Sequence, residues 1–292
     1  YKLDRLEPVV GRLEVDGEVI EGLPLFDAPL KANIRGQLGP AGSAAAIGIA
    51  RFEPEGSSAA PMRELRMQTS HAGLVIITSG VHPGLSPVNA DHFGRPYGPP
   101  ALQVSSAHAD LLEAAALRGD SALLAIKVKP IVATSFVVVV KIPSRGPARG
   151  APIVILTPKS SWWQSTSERG GGIVCWLECL RVLIASPPSR DVLLVATSGH
   201  ELGHLGLRHF LAANPTLAAD ALWLHLGANI GAPGGSMKVL SPSDELLELF
   251  SKGLGSSKSN TTGCEPRSEI REVHRAGGKY VSLVGTSDWF HH

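Results

Sequence analysis

The sequence predicts an α/β protein: a mostly parallel, mixed sheet sandwiched by helices, preceded by a smaller β-rich domain. Three observations carry this. Residues 1–132 hold short strand-like runs separated by long Gly/Pro/Ser-rich connections, and from Thr134 onward strands alternate with helices. The later strands are continuous apolar runs rather than alternating ones, the pattern of strands buried on both faces. The domains are therefore expected at 1–132 and 133–292.

In the first domain the strands are expected in "AAAIGIARF", "AGLVIITSG", "PALQVSS" and "SALLAIKVK". One helix interrupts them, "SSAHADLLEAAALRG", with Ser105 or Ser106 as N-cap and Gly119 at its end. Its His108 has no companion ligand nearby and reads as a surface or capping residue. In the second domain strands are expected at "SFVVVVKIP", "APIVILTP", "DVLLVATS", "ALWLHLGANIG", "SMKVLS" and "KYVSLVG". Helices are expected at about 171–186, 201–213, 243–253 and 267–276.

Composition narrows the function classes. The chain has 292 residues and a formal net charge of +1, and its Lys and Arg residues are scattered, which argues against nucleic acid as a main partner. The longest apolar runs are far too short to span a bilayer, so a soluble protein, cytoplasmic or secreted, is expected. The chain opens on Tyr1 and stops after His292, so native segments beyond either end remain open and a missing leader says nothing. Cys175, Cys179 and Cys264 imply neither a disulfide framework nor a CxxC zinc site.

In sheets of this kind ligands gather beyond the carboxyl ends of the strands. There lie Pro158, Lys159, Ser160, Trp162 and Trp163, then Glu168-Arg169 with Gly170-Gly171-Gly172; next His200-Glu201; then His225; and last Asp288, His291 and His292. Each has a structural reading beside the functional one. Glu168 and Arg169 would form an ion pair, Glu201 would cap a helix in a Ser198-x-x-Glu201 box, and His225 would be a core histidine. Trp162 and Trp163 are substrate-stacking groups or loop anchors; the glycines favour an anion or close helix packing. His200-Glu-Leu-Gly-His204 has the letters of a zinc-protease HExxH helix, but Gly203 and the strand immediately upstream place it at a corner, which leaves His204 as a packing residue. No GxSxG elbow is present, and Ser167 is a remote nucleophile candidate.

"GGGIVCWLECLRVL" and "VLLVATSGHELGHLGLRHFL" resemble the co-catalytic zinc aminopeptidases, the family of glutamate carboxypeptidase and the transferrin-receptor ectodomain. The β-rich region is similar to the protease-associated domain that accompanies them. The resemblance implies that the family's first-strand HxD falls on Pro158 and Ser160, its bridging Asp on Glu168, its glutamate pair on His200 and Glu201, and its Asp ligand on His225. The final His ligand falls on His291, with His292 the one-residue alternative, and Glu269 takes a position expected to be structural.

The resemblance thus implies one divalent metal, zinc by chemistry, held by Glu201, His291 and one or both of Glu168 and His225, with His200 as general base beside Glu201. Trp162, Trp163 and Arg169 would meet a small peptide or amide substrate. The expected function is metal-dependent hydrolysis of an amide or peptide bond at a remodelled site. The alternative is a catalytically silent, peptidase-like binding or scaffold protein, since a lost first-strand ligand is what such a descendant would show.

Overall fold

The computed structural model describes residues 1–292 apart from 55–58, 91, 255–256 and 292. It divides into two compact units: Lys2–Ala133 together with His291, and Tyr1 together with Thr134–Phe290.

The first unit is built on an eight-stranded mixed sheet, with strands β1 (Lys2–Val15), β2 (Glu18–Glu21), β3 (Leu23–Pro24), β4 (Lys31–Pro40), β5 (Ile47–Phe52), β6 (Gly73–Thr78), β7 (Ala101–Ser105) and β8 (Ser121–Thr134), in the order β2-β1-β8-β4-β5-β6-β7-β3. β4 to β7 run parallel, and β8 and β3 pair antiparallel at either side of them. Helix α2 (Ala109–Arg118) buries Ala109, Leu112, Ala115 and Ala116 on the strand core of Leu38, Ile47, Val75 and Leu102. As the sequence indicates, Ser105 caps the lead-in turn and Gly119 ends the helix in the left-handed region, at φ 72°. Helix α1 (Ala59–Gln68) is an addition to the sequence reading. Its Pro61 looks like a breaker but falls in the first turn, where its missing N–H costs nothing.

The second unit carries a seven-stranded mixed sheet of β9 (Val138–Ile142), β10 (Ile153–Pro158), β11 (Val192–Thr197), β12 (Leu222–Leu226), β13 (Met237–Ser241), β14 (Ser257–Asn260) and β15 (Lys279–Gly285), ordered β14-β13-β15-β12-β10-β11-β9. β15, β12, β10 and β11 are mutually parallel, while β9 and β13 run against their neighbours β11 and β15. Alternation along β10 sets the layers. Ile155 joins Trp176 of α3 (Thr166–Ala185) and Leu247 of α6 (Asp244–Leu254) on one face. Val154 and Leu156 join Leu207 and Phe210 of α4 (Leu205–Ala213), Ala221 after α5 (Leu217–Asp220), and Ile270 and Val273 of α7 (Ile270–Arg275) on the other. Helices therefore cover both faces, as the apolar strands require. Among the described residues no helix is long and apolar enough to cross a membrane.

Two helix starts differ from the sequence reading. α3 begins at Thr166, so Gly170 to Gly172 lie within it, not at its opening. A Cβ on Gly171 would sit 1.7 Å from the Ile230 carbonyl oxygen, and one on Gly172 3.0 Å from Thr157 Oγ1; the glycines serve close packing. α4 begins at Leu205, with 200–204 a turn before it, and the Ser198–Glu201 capping box does not form. Ser198 instead accepts a hydrogen bond from Lys159 Nζ at 2.6 Å.

Candidate functional site

The carboxyl ends of β10, β11 and β12 gather two groups of polar side chains within the second unit. The first is a buried ion triad. Arg169, in the first turn of α3, reaches Glu168 Oε1 at 2.7 Å and Glu201 Oε1 at 3.2 Å through one nitrogen, while its Nε donates to the Ser160 carbonyl at 2.7 Å. Ser165 Oγ donates to Glu168 Oε2 at 3.0 Å and Ser160 Oγ to Glu201 Oε2 at 3.1 Å. The chain thus brings Glu168 and Glu201 together around a guanidinium.

The second group is centred on Glu269, fully buried just before α7. His200 Nδ1–H donates to its Oε2 at 2.8 Å, and His225 Nε2, on β12, stands 3.8 Å from the same oxygen. His204 joins them. Its N–H closes a turn onto the His200 carbonyl at 3.1 Å, with His204 itself in the left-handed region at φ 60°. The turn brings the two imidazoles to 5.4 Å between centroids. An HExxH helix would pair them by helical rise; here a tight turn does so, and Glu201 points away into the triad.

Donor atoms of His200, His204 and Glu269 all lie within 4.8 Å of one another. Glu269 Oε1 and His225 Nε2 are buried and, among the described residues, lack a hydrogen-bond partner. A buried carboxylate oxygen and imidazole nitrogen left in this state call for a cation, a proton or water. The donor set of imidazoles and a carboxylate fits a single ion of the zinc type. Glu272 Oε1 accepts from His204 Nδ1–H at 3.4 Å, which orients the ring and leaves Nε2 as its lone-pair donor. The oxygens of the Glu168/Glu201 carboxylate pair, by contrast, face Arg169, Ser160 and Ser165.

Electrostatics follow from burial. Burial pushes the His200 imidazole down, but the Glu269 carboxylate outweighs it and leaves the pKa above the ordinary 6.5. Burial disfavours the Glu269 anion, yet His200 holds its carboxyl well below the usual range. Burial dominates at His204, which stands below the ordinary histidine value. A raised folded-state pKa contributes stability that is fully present below the unfolded value and lost as pH rises through the folded one. In chelated protein, wild type is therefore expected to exceed His200→Gln in melting temperature below pH 6.5, the ordinary value, with the gap closing as pH rises. Melting curves across pH check this; a gap that widens with pH contradicts it.

His225 Nδ1 is hydrogen-bonded to Ser282 Oγ at 2.8 Å, its ring wholly buried. His291, with positive φ, donates from Nδ1 to the Pro87 carbonyl in the first unit and is not among the three grouped donors. His292 lies outside the described residues. Trp162 is half-buried and Trp163 is 50% exposed in the loop between β10 and α3. Arg169, read from sequence as a substrate contact, has a side chain only 7% exposed. The sequence reads His204 as a packing residue and Glu269 as structural; the i,i+4 histidine pair is the sequence signal that points to the first of them.

A scan against protein-family models finds no match, and no curated protein matches the chain by sequence. Solved structures do match. A zinc aminopeptidase from Bacillus subtilis superposes with TM-score 0.69 at 16% identity, over 99% of this chain and 76% of its own. A peptidase M28 precursor from Shewanella amazonensis gives 0.67 at 16% identity over 97% and 74%, and an aminopeptidase from Aneurinibacillus gives 0.62 at 16% over 100% and 76%. The fold is the zinc aminopeptidase fold. At this identity the likeness establishes architecture, and the chemistry of the corner rests on the residues themselves.

Proposed function

We propose that this protein is a metal-dependent hydrolase of the peptidase class, cutting an amide or peptide bond in a small substrate with one divalent ion of the zinc type. The observation that carries the reading is the convergence of His200, His204 and Glu269, with a buried oxygen on Glu269 that has no hydrogen-bond partner among the described residues. These three would hold the ion and His225 would stand beside it. A bound ion of this kind polarises a carbonyl and acidifies water. For His200 to serve as a ligand its imidazole must be neutral, so uptake expels a proton and tightens as pH rises. His200 is the most accessible of the four, its side chain 21% exposed, and marks the approach for substrate. Glu201, held by Arg169 and Ser160, fixes the turn that presents His200. Trp162 and Trp163, in the loop between β10 and α3, are read as an apolar platform for the substrate, and the β-rich first unit is read as a protease-associated-like domain.

One observation favours a second reading. Arg169 pairs with both the Glu168 and the Glu201 carboxylate, as a catalytically silent binding or scaffold protein would be arranged. Zinc-reloaded protein assayed on a panel of amino-acid and dipeptide anilides separates the two. Hydrolysis that chelator abolishes, that zinc restores and that His204→Ala lacks supports the hydrolase. No turnover by metal-loaded wild type supports the silent protein.

A further inference from the structure

We propose that the Arg169 guanidinium is the resident cation of the Glu168/Glu201 corner and closes that carboxylate pair to metal ions. Two carboxylate oxygens, Glu168 Oε1 and Glu201 Oε1, converge on one guanidinium nitrogen at 2.7 and 3.2 Å. The side chains of Arg169, Glu168 and Glu201 are 7, 5 and 8% exposed, so water screens little of the interaction. The remaining carboxylate oxygens accept from Ser165 and Ser160, and Arg169 Nε is anchored on the Ser160 carbonyl. The planar, positively charged guanidinium matches carboxylate geometry, so Arg169 occupies the place between the two side chains that a metal ion would need.

The backbone supports the arrangement. Gly171 lets α3 approach the 229–230 segment, and Asn229 N–H donates to the Glu168 carbonyl at 2.9 Å, so the turn bearing Glu168 and Arg169 is fixed in place. Arg169 is thus a positioning residue: it holds Glu201, and with it the 200–204 turn, without an ion. The inference stands apart from the ion proposed at His200, His204 and Glu269, since no side chain is shared.

The experiment is built on His204→Ala, so that zinc cannot act through the neighbouring group, and reads melting temperature in chelator and in added Zn2+. His204→Ala alone is expected to show no zinc response. Adding Arg169→Met is expected to lower the melting temperature by roughly 10 °C, the loss for a broken buried pair, and zinc is expected to restore most of it. Adding Glu168→Gln should then abolish the rescue, which a merely structural arginine would not predict. If the double variant fails to fold in chelator, refolding yield with and without zinc gives the same readout. The proposal is overturned if zinc restores neither stability nor yield, or if His204→Ala alone responds to zinc through Glu168. Absence of metal from wild type would sink the hydrolase and leave this inference intact.

Discussion

Glu269→Ala is expected to destabilise the protein by about 3–5 kcal/mol, the range for stripping one partner from a buried charge pair, and to abolish metal retention. The carboxylate is wholly buried, carries the His200 Nδ1–H bond at 2.8 Å and faces His225 Nε2 at 3.8 Å. Removing it leaves His200 without the charge that raises its pKa and opens a polar cavity. Glu269→Gln keeps the shape and loses the charge, so the His200 pKa should fall back towards or below its ordinary value. Denaturant unfolding and histidine NMR titration check both. An alanine variant within about 1 kcal/mol of wild type, the worth of a surface pair, would show that the cluster is not electrostatically closed.

Gly171→Ala is expected to cost roughly 3 kcal/mol or more, at the upper end of overpacking effects. The new Cβ would lie 1.7 Å from the Ile230 carbonyl oxygen, a backbone atom with no rotamer to yield. α3 must back away from the loop after β12, and Glu168 and Arg169 move with it. Gly170→Ala is the internal control. There the nearest atom to the added Cβ is Thr166 Cγ2 at 3.6 Å, ordinary contact, and alanine should stabilise the helix by about 0.5–1 kcal/mol. Opposite signs at adjacent glycines separate packing from helix propensity; equal signs would contradict the close approach.

The sheet of the second unit was legible in the sequence because its strands are continuous apolar runs, and "APIVILTP" and "DVLLVATS" appear as β10 and β11. β14, "SKSN", was not legible, because a polar edge strand exists only through pairing with β13. The corner was legible in place and only partly in content. Strand ends located Glu168, Arg169, His200, Glu201 and His225, but sequence order does not say which carboxylate meets which cation. Arg169 follows Glu168 directly, so its second bond, to Glu201, depended on the β10 and β11 ends being neighbours. The start of α4 was legible only approximately: helical periodicity reaches back to 201, whereas the chain turns at His204 with positive φ and starts the helix one residue later. The partners of Glu269 carried no local signal, since they are 69 and 44 positions away in sequence.

The measurement that bears most directly on the proposed function is elemental analysis of protein purified without chelator, comparing wild type with His204→Ala and Glu168→Gln. About one equivalent of a divalent transition metal is expected in wild type and in Glu168→Gln, and only traces in His204→Ala. Trace metal in wild type, or metal that disappears with Glu168 and persists without His204, would contradict it.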